Sequence, residues 1–185
     1  MRIEATLFRD LYIIYPQIFN DDRGYFLETF NEKVFKEETG LKVNFVQDNE
    51  SKSKRGVLRG LHYQEGVSAQ SKLVRAVEGT VLDTVVDMRE DSDTFGRSYS
   101  IILDDKEKTQ LFVPKGFAHG FLTLSEKSRF AYKCDNYYNP KSEGSIDALD
   151  PTLNINWVIP HDEIIRSEKD KGAMTFIKAM EKKVI

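Results

Sequence analysis

Apolar and polar residues alternate in short bursts along most of this chain, and the bursts predict strands rather than helices. Leu11–Pro16 predicts a first strand, Asp21 to Gly24 a turn, and Tyr25–Phe30, where aromatic and polar residues alternate, a second strand. Asn31 as N-cap and Gly40 as C-cap bracket a short helix, Glu32–Thr39, with Val34 and Phe35 on its buried face. Val43–Asn49 predicts another strand that ends in polar groups. The helical period then disappears. Apolar segments recur at Val57–Tyr63, Lys72–Val77, Val81–Met88, Ser98–Leu103, Gln110–Val113, Gly120–Leu124 and Phe130–Cys134, separated by turns rich in Gly, Asp and Pro. Strands at this spacing indicate an all-β sandwich or barrel. No βα alternation, G-x-G-x-x-G or P-loop argues for a Rossmann enzyme. Past Asp150-Pro151 the character changes, and His161–Asp170 and Ala173–Lys183 predict short helices packed over the barrel. No boundary divides residues 1–185, which read as one domain.

Composition narrows the function classes. A chain of 185 residues can bury a full core, and 40% apolar with 31% charged residues is ordinary for a soluble protein. The net charge of −3, with no long run of one sign, argues against a nucleic-acid partner. Cys134 is the single cysteine, so neither an intrachain disulfide nor a cysteine zinc site is expected. The N-terminus is charged where a signal peptide is apolar, and no apolar stretch reaches the roughly 20 residues that span a bilayer. The expectation is a cytoplasmic protein with no membrane partner, in which the sequon at Asn49 is a chance match.

The candidate chemistry begins at Arg55–Gln64, where His62 follows a short apolar run flanked by Arg55 and Arg59. A histidine there is a candidate base, although that stretch alone favours a buried strand histidine bonded to a neighbour. Strand alternation puts Tyr132 with Phe130 and Cys134, facing inward, and puts Asp83 and Asp87 on the face of Val81 and Val85. Polar groups inside a barrel mean a ligand cavity or a satisfied core network. Lys72 and Arg75 lie on opposite faces of one strand, so one can point inward; Arg75 is assigned to solvent. Residues 114–119, in the stretch PKGFAHG, resemble the second motif of the cupin barrels, which supplies one metal ligand. The first motif's H-x-H pair is reduced to His62-Tyr63-Gln64, and two distant histidines fall short of a divalent site, so no metal is expected. His161, in the tail, receives no role.

Taken in order, DDRGYFLETFNE, NFVQDNES, RGVLRGLHYQ, KLVRAVEGTVLDTVVDMR, FVPKGFAHGFLTLSE, YKCDNYYNP and SEKD resemble the dTDP-4-dehydrorhamnose 3,5-epimerase family over nearly the whole chain. The resemblance implies a cupin-type jelly-roll barrel, a dTDP-4-keto-6-deoxy sugar substrate, no cofactor, and a homodimer with exchanged N-terminal strands, so that some contacts cross between chains. It implies that His62 is the general base, Asp170 its carboxylate partner, Tyr132 the general acid, and Lys72 the lysine near the substrate keto oxygen. Arg23, Glu28, Gln47, Asn49, Arg59, His119, Glu143 and Lys169 match nucleotide-sugar contacts. Tyr138 matches the aromatic that stacks on thymine, and Phe26 an aromatic lining the site.

The chain departs from the family pattern at Ser71, where glycine is usual, at Ala148, where tryptophan is usual, and at Asn154 and Asn156, which replace Gly and Asp. None is a catalytic position; they bear on the nucleotide end or a neighbouring loop. The implied reaction removes the C3 and C5 protons, both α to a ketone, which calls for an oriented base, a cation for the enolate oxygen, and an acid on the opposite face. Two alternatives are an epimerase that inverts one carbon and a non-catalytic sugar-nucleotide-binding cupin.

Overall fold

The structure, a computed structural model, describes residues 1–183. Its strands are β1 (Arg2–Ala5), β2 (Tyr12–Tyr15), β3 (Ile18–Asp21), β4 (Gly24–Leu27), β5 (Gln47–Lys54), β6 (Leu58–Gln64), β7 (Lys72–Glu78), β8 (Thr80–Asp87), β9 (Ser98–Asp104), β10 (Gln110–Val113), β11 (Phe117–Thr123), β12 (Lys127–Cys134) and β13 (Glu143–Ser145). The α-helices are α1 (Glu32–Thr39), α2 (Glu168–Lys171) and α3 (Phe176–Lys183). Two antiparallel sheets face each other as a cupin-type jelly roll. One has the order β1-β2-β10-β7-β12-β5, the other β13-β6-β11-β8-β9, and β3 and β4 form a separate hairpin.

Three apolar layers hold these parts. Inside the barrel, Val74, Ala76, Val81, Val85, Leu103, Leu111, Phe121 and Phe130 pack together. Outside the five-stranded sheet, Leu58, Leu61, Leu82, Val86 and Leu122 pack against Leu153, Trp157 and Ala179 of the tail. Outside the six-stranded sheet, Ile14, Leu73 and Phe112 pack against Phe35 of α1 and Val43. β8 and β11 are therefore covered on both faces, which explains their near-continuous apolar runs. Helix α1 ends where its caps dictate. Asn31 accepts from the Val34 amide at 3.2 Å, and Gly40 closes the helix at φ +73° with its amide on the Lys36 carbonyl.

Several boundaries differ from the sequence expectation, each for a physical reason. Residues 41–46 are irregular, and the strand expected over Val43–Asn49 instead runs Gln47–Lys54, paired residue for residue with β12. The strand expected over Gly120–Leu124 begins at Phe117, which puts His119 inside it. His161–Asp170 is not one helix. A single 3-10 turn, His161–Glu163, gives way to extended chain where Ile165 bridges Val57, and α2 follows. Tyr25–Phe30 shortens to β4, paired with the unexpected β3, and β1 and β13 are further strands that periodicity did not signal.

Where the pairing of β6 with β11 shifts register, between His119 and Phe121, the two backbones nearly touch. A Cβ at Gly120 would lie 2.5 Å from the Arg59 carbonyl oxygen and 2.9 Å from Leu61 Cδ2. The space belongs to backbone that cannot retreat without moving His62 and His119, which pair across these strands. Gly120→Ala is expected to destabilise the fold by about 3 kcal/mol, through overpacking rather than lost contacts. Urea unfolding of the two proteins measures this directly.

Candidate active site

A cavity of about 510 Å³ opens within the barrel, lined by Arg59, His62, Lys72, His119, Tyr132, Lys169 and Asp170, together with Ser51, Phe121 and Phe130. It adjoins a smaller recess of about 100 Å³ that shares His62, Lys72 and Tyr132 and adds Gln47, Asn49, Cys134, Tyr138 and Glu143. The placement follows from strand parity. His62 on β6 and His119 on β11 pair directly and face inward from the five-stranded sheet. Lys72 on β7 and Tyr132 on β12 face inward from the six-stranded sheet, so the histidines look across the cavity at the lysine and the phenol. Arg75, on the other face of β7, lines a separate groove of about 280 Å³ with Leu73, Gln110 and Lys133.

His62 Nε2 lies 2.6 Å from Asp170 Oδ1. The carboxylate arrives from the tail: Ser167 caps α2 by accepting from the Asp170 amide at 3.1 Å, and only 4% of Asp170 is exposed. Burial alone would raise the Asp170 pKa, but its bond to His62 and that ring's charge outweigh burial and hold it below the usual carboxylate value. Burial pushes the Lys72 pKa down, against the opposing pull of Cys134, Asp83 and Glu143. Burial also raises Tyr132, and it raises the Cys134 thiol to about 11. A second histidine–carboxylate pair sits deeper, with His119 Nε2 at 2.9 Å from Asp83 Oδ2.

At the rim, Glu143 accepts from Tyr138 Oη at 2.8 Å and Lys169 Nζ at 2.6 Å. Burial would raise Glu143, but these bonds keep its pKa low. The Tyr138 amide donates to Gln47 Oε1, and the Gln47 amide group donates to Asn49 Oδ1, both at 3.0 Å. Arg59 is steadied by Ser53, whose Oγ accepts from Nε at 3.0 Å. Among the described residues, two buried side-chain oxygens lack a hydrogen bond, Ser51 Oγ, which lines the cavity, and Asp83 Oδ1, which lies behind His119. Sequence reasoning gave no role to Ser51, Ser53 or Ser167. The inward parity of Asp83 was its one visible signal.

The structure does not bring Arg23, Phe26 or Glu28 to the cavity. All three are exposed on or beside the β3–β4 hairpin. Arg23 pairs with its neighbour Asp21, Phe26 leans on Phe19 with ring centres 6.3 Å apart, and Glu28 accepts from Asn31.

A sequence model of the family described as dTDP-4-dehydrorhamnose 3,5-epimerase matches residues 5–178. The chain belongs to that family. It is 51% identical over 157 residues to the dTDP-4-dehydrorhamnose 3,5-epimerase of Salmonella typhimurium, covering 85% of this chain and 86% of the relative. The crystal structure of the Elizabethkingia anophelis dTDP-4-dehydrorhamnose 3,5-epimerase superposes with a TM-score of 0.92 at 54% identity, covering 96% of this chain and 97% of the other. A dTDP-6-deoxy-D-glucose-3,5-epimerase of Legionella pneumophila, in complex with dTDP-4-keto-L-rhamnose, superposes at 0.89 with 47% identity, over 94% and 92% of the two chains.

Against the epimerase family, the four departures in sequence now have locations. Ala148 is buried on the outer layer beneath the tail, where its carbonyl accepts from Trp157 Nε1 at 2.8 Å. Asn154 has φ +46°, a conformation glycine takes freely and asparagine tolerates better than most residues. Asn156 Oδ1 accepts from the Val158 amide at 3.0 Å, a bond an aspartate would make equally. Ser71 is buried, its amide held by Asp135 at 2.6 Å. None of the four lines the cavity or its recess.

Two stability measurements follow from these charges. Because the Asp170 pKa is lowered by folding, its contribution is complete above the ordinary carboxylate value and is lost as pH falls through the lowered one. Asp170→Asn should therefore be less stable than the parent by roughly 1–3 kcal/mol at pH 7, and the gap should close in acid. For Lys72 the sign reverses: the unfolded chain binds the proton more tightly, so burying the lysine costs stability at neutral pH. Lys72→Met should melt a few degrees higher, by about 1 kcal/mol, with an advantage that shrinks as pH rises toward the ordinary lysine value.

Proposed function

We propose that this chain epimerises dTDP-4-dehydro-6-deoxy-D-glucose at C3 and C5 to give dTDP-4-dehydro-L-rhamnose. The observation that carries the reading is the convergence of the His62–Asp170 pair, Lys72 and Tyr132 on one cavity, with His62 on one wall and Lys72 and Tyr132 on the other. His62 takes a proton from carbon α to the ketone. Asp170 fixes the ring and stabilises the imidazolium. The electron pair of the broken C–H bond moves toward O4, where the Lys72 cation meets the developing charge. Tyr132 returns a proton from the opposite face, which inverts the carbon. Its raised pKa keeps it protonated and able to donate. Once His62 has released its proton to solvent and Tyr132 has regained one, repeating the cycle at the second α carbon completes the reaction. Protons move and no hydride does, so the chemistry calls for no redox cofactor.

Other residues of the rim and the cavity wall suit the sugar nucleotide. Arg59 offers a fork of donors for diphosphate, with His119 and Lys169 as further contacts, and the half-exposed Tyr138 ring offers a face for thymine. Gln47, Asn49 and Glu143 position the remaining polar groups. Arg23, Phe26 and Glu28, exposed on their hairpin, serve the cavity of a second copy in a homodimer. Among the described residues no helix is long and apolar enough to cross a membrane, and we place the enzyme in the cytoplasm, acting as one domain on a soluble sugar nucleotide.

The reading is tested by incubating the sugar nucleotide with the protein in D₂O and following the sugar by NMR. Deuterium is expected at both C3 and C5. Exchange at one carbon would indicate an epimerase restricted to that centre, and dTDP binding without any exchange would indicate a binding module. His62→Ala should lower turnover by about 10²–10⁴ while leaving dTDP affinity, measured by calorimetry, within a few-fold of the parent.

A further inference from the structure

Two aspartates on one strand, four residues apart and both wholly buried, have opposite surroundings. Asp87 accepts from the Arg89 guanidinium at 2.7 and 2.8 Å, and from Ser92 and Thr94 at 2.6 Å each. Asp83 has a single bond, from His119, and its Oδ1 has none. A buried carboxylate left half-bonded is a stability cost, commonly about 1–3 kcal/mol for the unmet oxygen. Asp87 is explained by its own network. Asp83 is not, and it stands behind a histidine that lines the cavity.

The acids nearest Lys72 sharpen the contrast. Cys134, its cross-strand neighbour on β12, keeps its proton until about pH 11 and brings no charge at neutral pH. Glu143 on β13 is committed to Lys169 and Tyr138. Tyr132 on β12 is held neutral by burial, Asp170 on α2 is matched to His62, and Arg59 on β6 is a cation. Asp83, like Asp170, is bonded to a histidine rather than to a lysine or arginine, but its Oδ1 is buried without a hydrogen bond, and its charge is among those that favour the Lys72 proton.

We propose that Asp83 is a positioning residue: it fixes the His119 ring through Nε2 and supplies the counter-charge that lets Lys72 meet the substrate oxygen as a cation. With Nε2–H donated to Asp83, Nδ1 is the His119 nitrogen left for the ligand. The inference rests on the epimerase reading for the role of Lys72, but the Asp83–His119 half stands without it.

Asp83→Asn keeps the shape and an oxygen to accept from His119 while removing the charge. Its kcat should fall about 10- to 100-fold, as typically follows loss of a carboxylate behind a functional histidine, with KM within a few-fold of the parent. The alkaline limb of its pH–rate profile should move to lower pH, because Lys72 loses the charge that favours its proton. An exchange of Asp83 that merely loosened the core would lower Tm without moving that limb. Independently, ¹⁵N NMR of the histidine rings in the unaltered protein, with His119 assigned by the His119→Asn variant, should show a proton on Nε2 at neutral pH. A parent-like rate, an unmoved limb, or a His119 ring protonated on Nδ1 alone would overturn the proposal. If the unaltered protein turned over no sugar nucleotide, the epimerase reading would fail, and the ring measurement would still decide the Asp83–His119 half.

Discussion

The 2.6 Å contact between His62 and Asp170 joins residues 108 apart in sequence, one on a barrel strand and one on a four-residue helix. A helix that short has no stability of its own, so everything that fixes Asp170 must come from packing around it. The tail supplies it in sequence order. Trp157 buries its indole and bonds Ala148, Ile165 exchanges backbone bonds with Gly56 and Leu58, and Arg166 pairs with Asp147 at 2.5 Å. The Phe176 amide then closes on Asp150 at 2.6 Å. The apolar layer beneath the tail is thus what sets the His62–Asp170 distance on the far side of the sheet.

The barrel interior is divided by the same logic. Where Val74, Val81, Val85 and Leu111 meet, the two sheets pack as an ordinary sandwich core. Where β5 and β13 flank the sheets, side chains are polar, and the space between the walls becomes a cavity. Desolvation there works in two directions. It disfavours the Lys72 cation and, equally, strengthens any interaction that cation makes with a developing oxyanion. A lysine so poorly solvated is one whose charge the proposed reaction would use best.

How much of this was legible depended on what each residue faces. Helix α1 could be read to the residue because its caps are local chemistry. β8 could be read because both faces are buried, whereas β11 was read only from Gly120 onward, its first three residues being missed. β5 was misplaced because it has no apolar face at all: Gln47, Asn49 and Ser51 turn toward the site, while Asp48, Glu50 and Lys52 are exposed. Its strand character comes from eight backbone pairings with β12, a non-local property that no window of sequence contains. The one helix expected over His161–Asp170 broke for a related reason, since the backbone of Ile165 finds better partners in the barrel than in its own turn. In the site, parity placed Tyr132 and flagged Asp83, but nothing local could connect Asp170 to His62. That link entered only through the family resemblance.

The departures from the family pattern show which constraints the fold enforces. Asn154 replaces glycine at a left-handed residue, and Asn156 replaces an aspartate that would make the same backbone turn. Each exchange preserves a backbone conformation while changing the side chain that produces it. Ala148 gives up a large ring in a layer where Trp157, Leu153 and Ile146 already fill the space. These positions answer to packing, which tolerates volume traded among neighbours. In the proposed reaction His62, Lys72, Tyr132 and Asp170 would answer to proton positions, where an ångström of displacement or the loss of one charge has no neighbour to compensate it. The outer layer can therefore drift as long as its sum still holds α2 against the sheet.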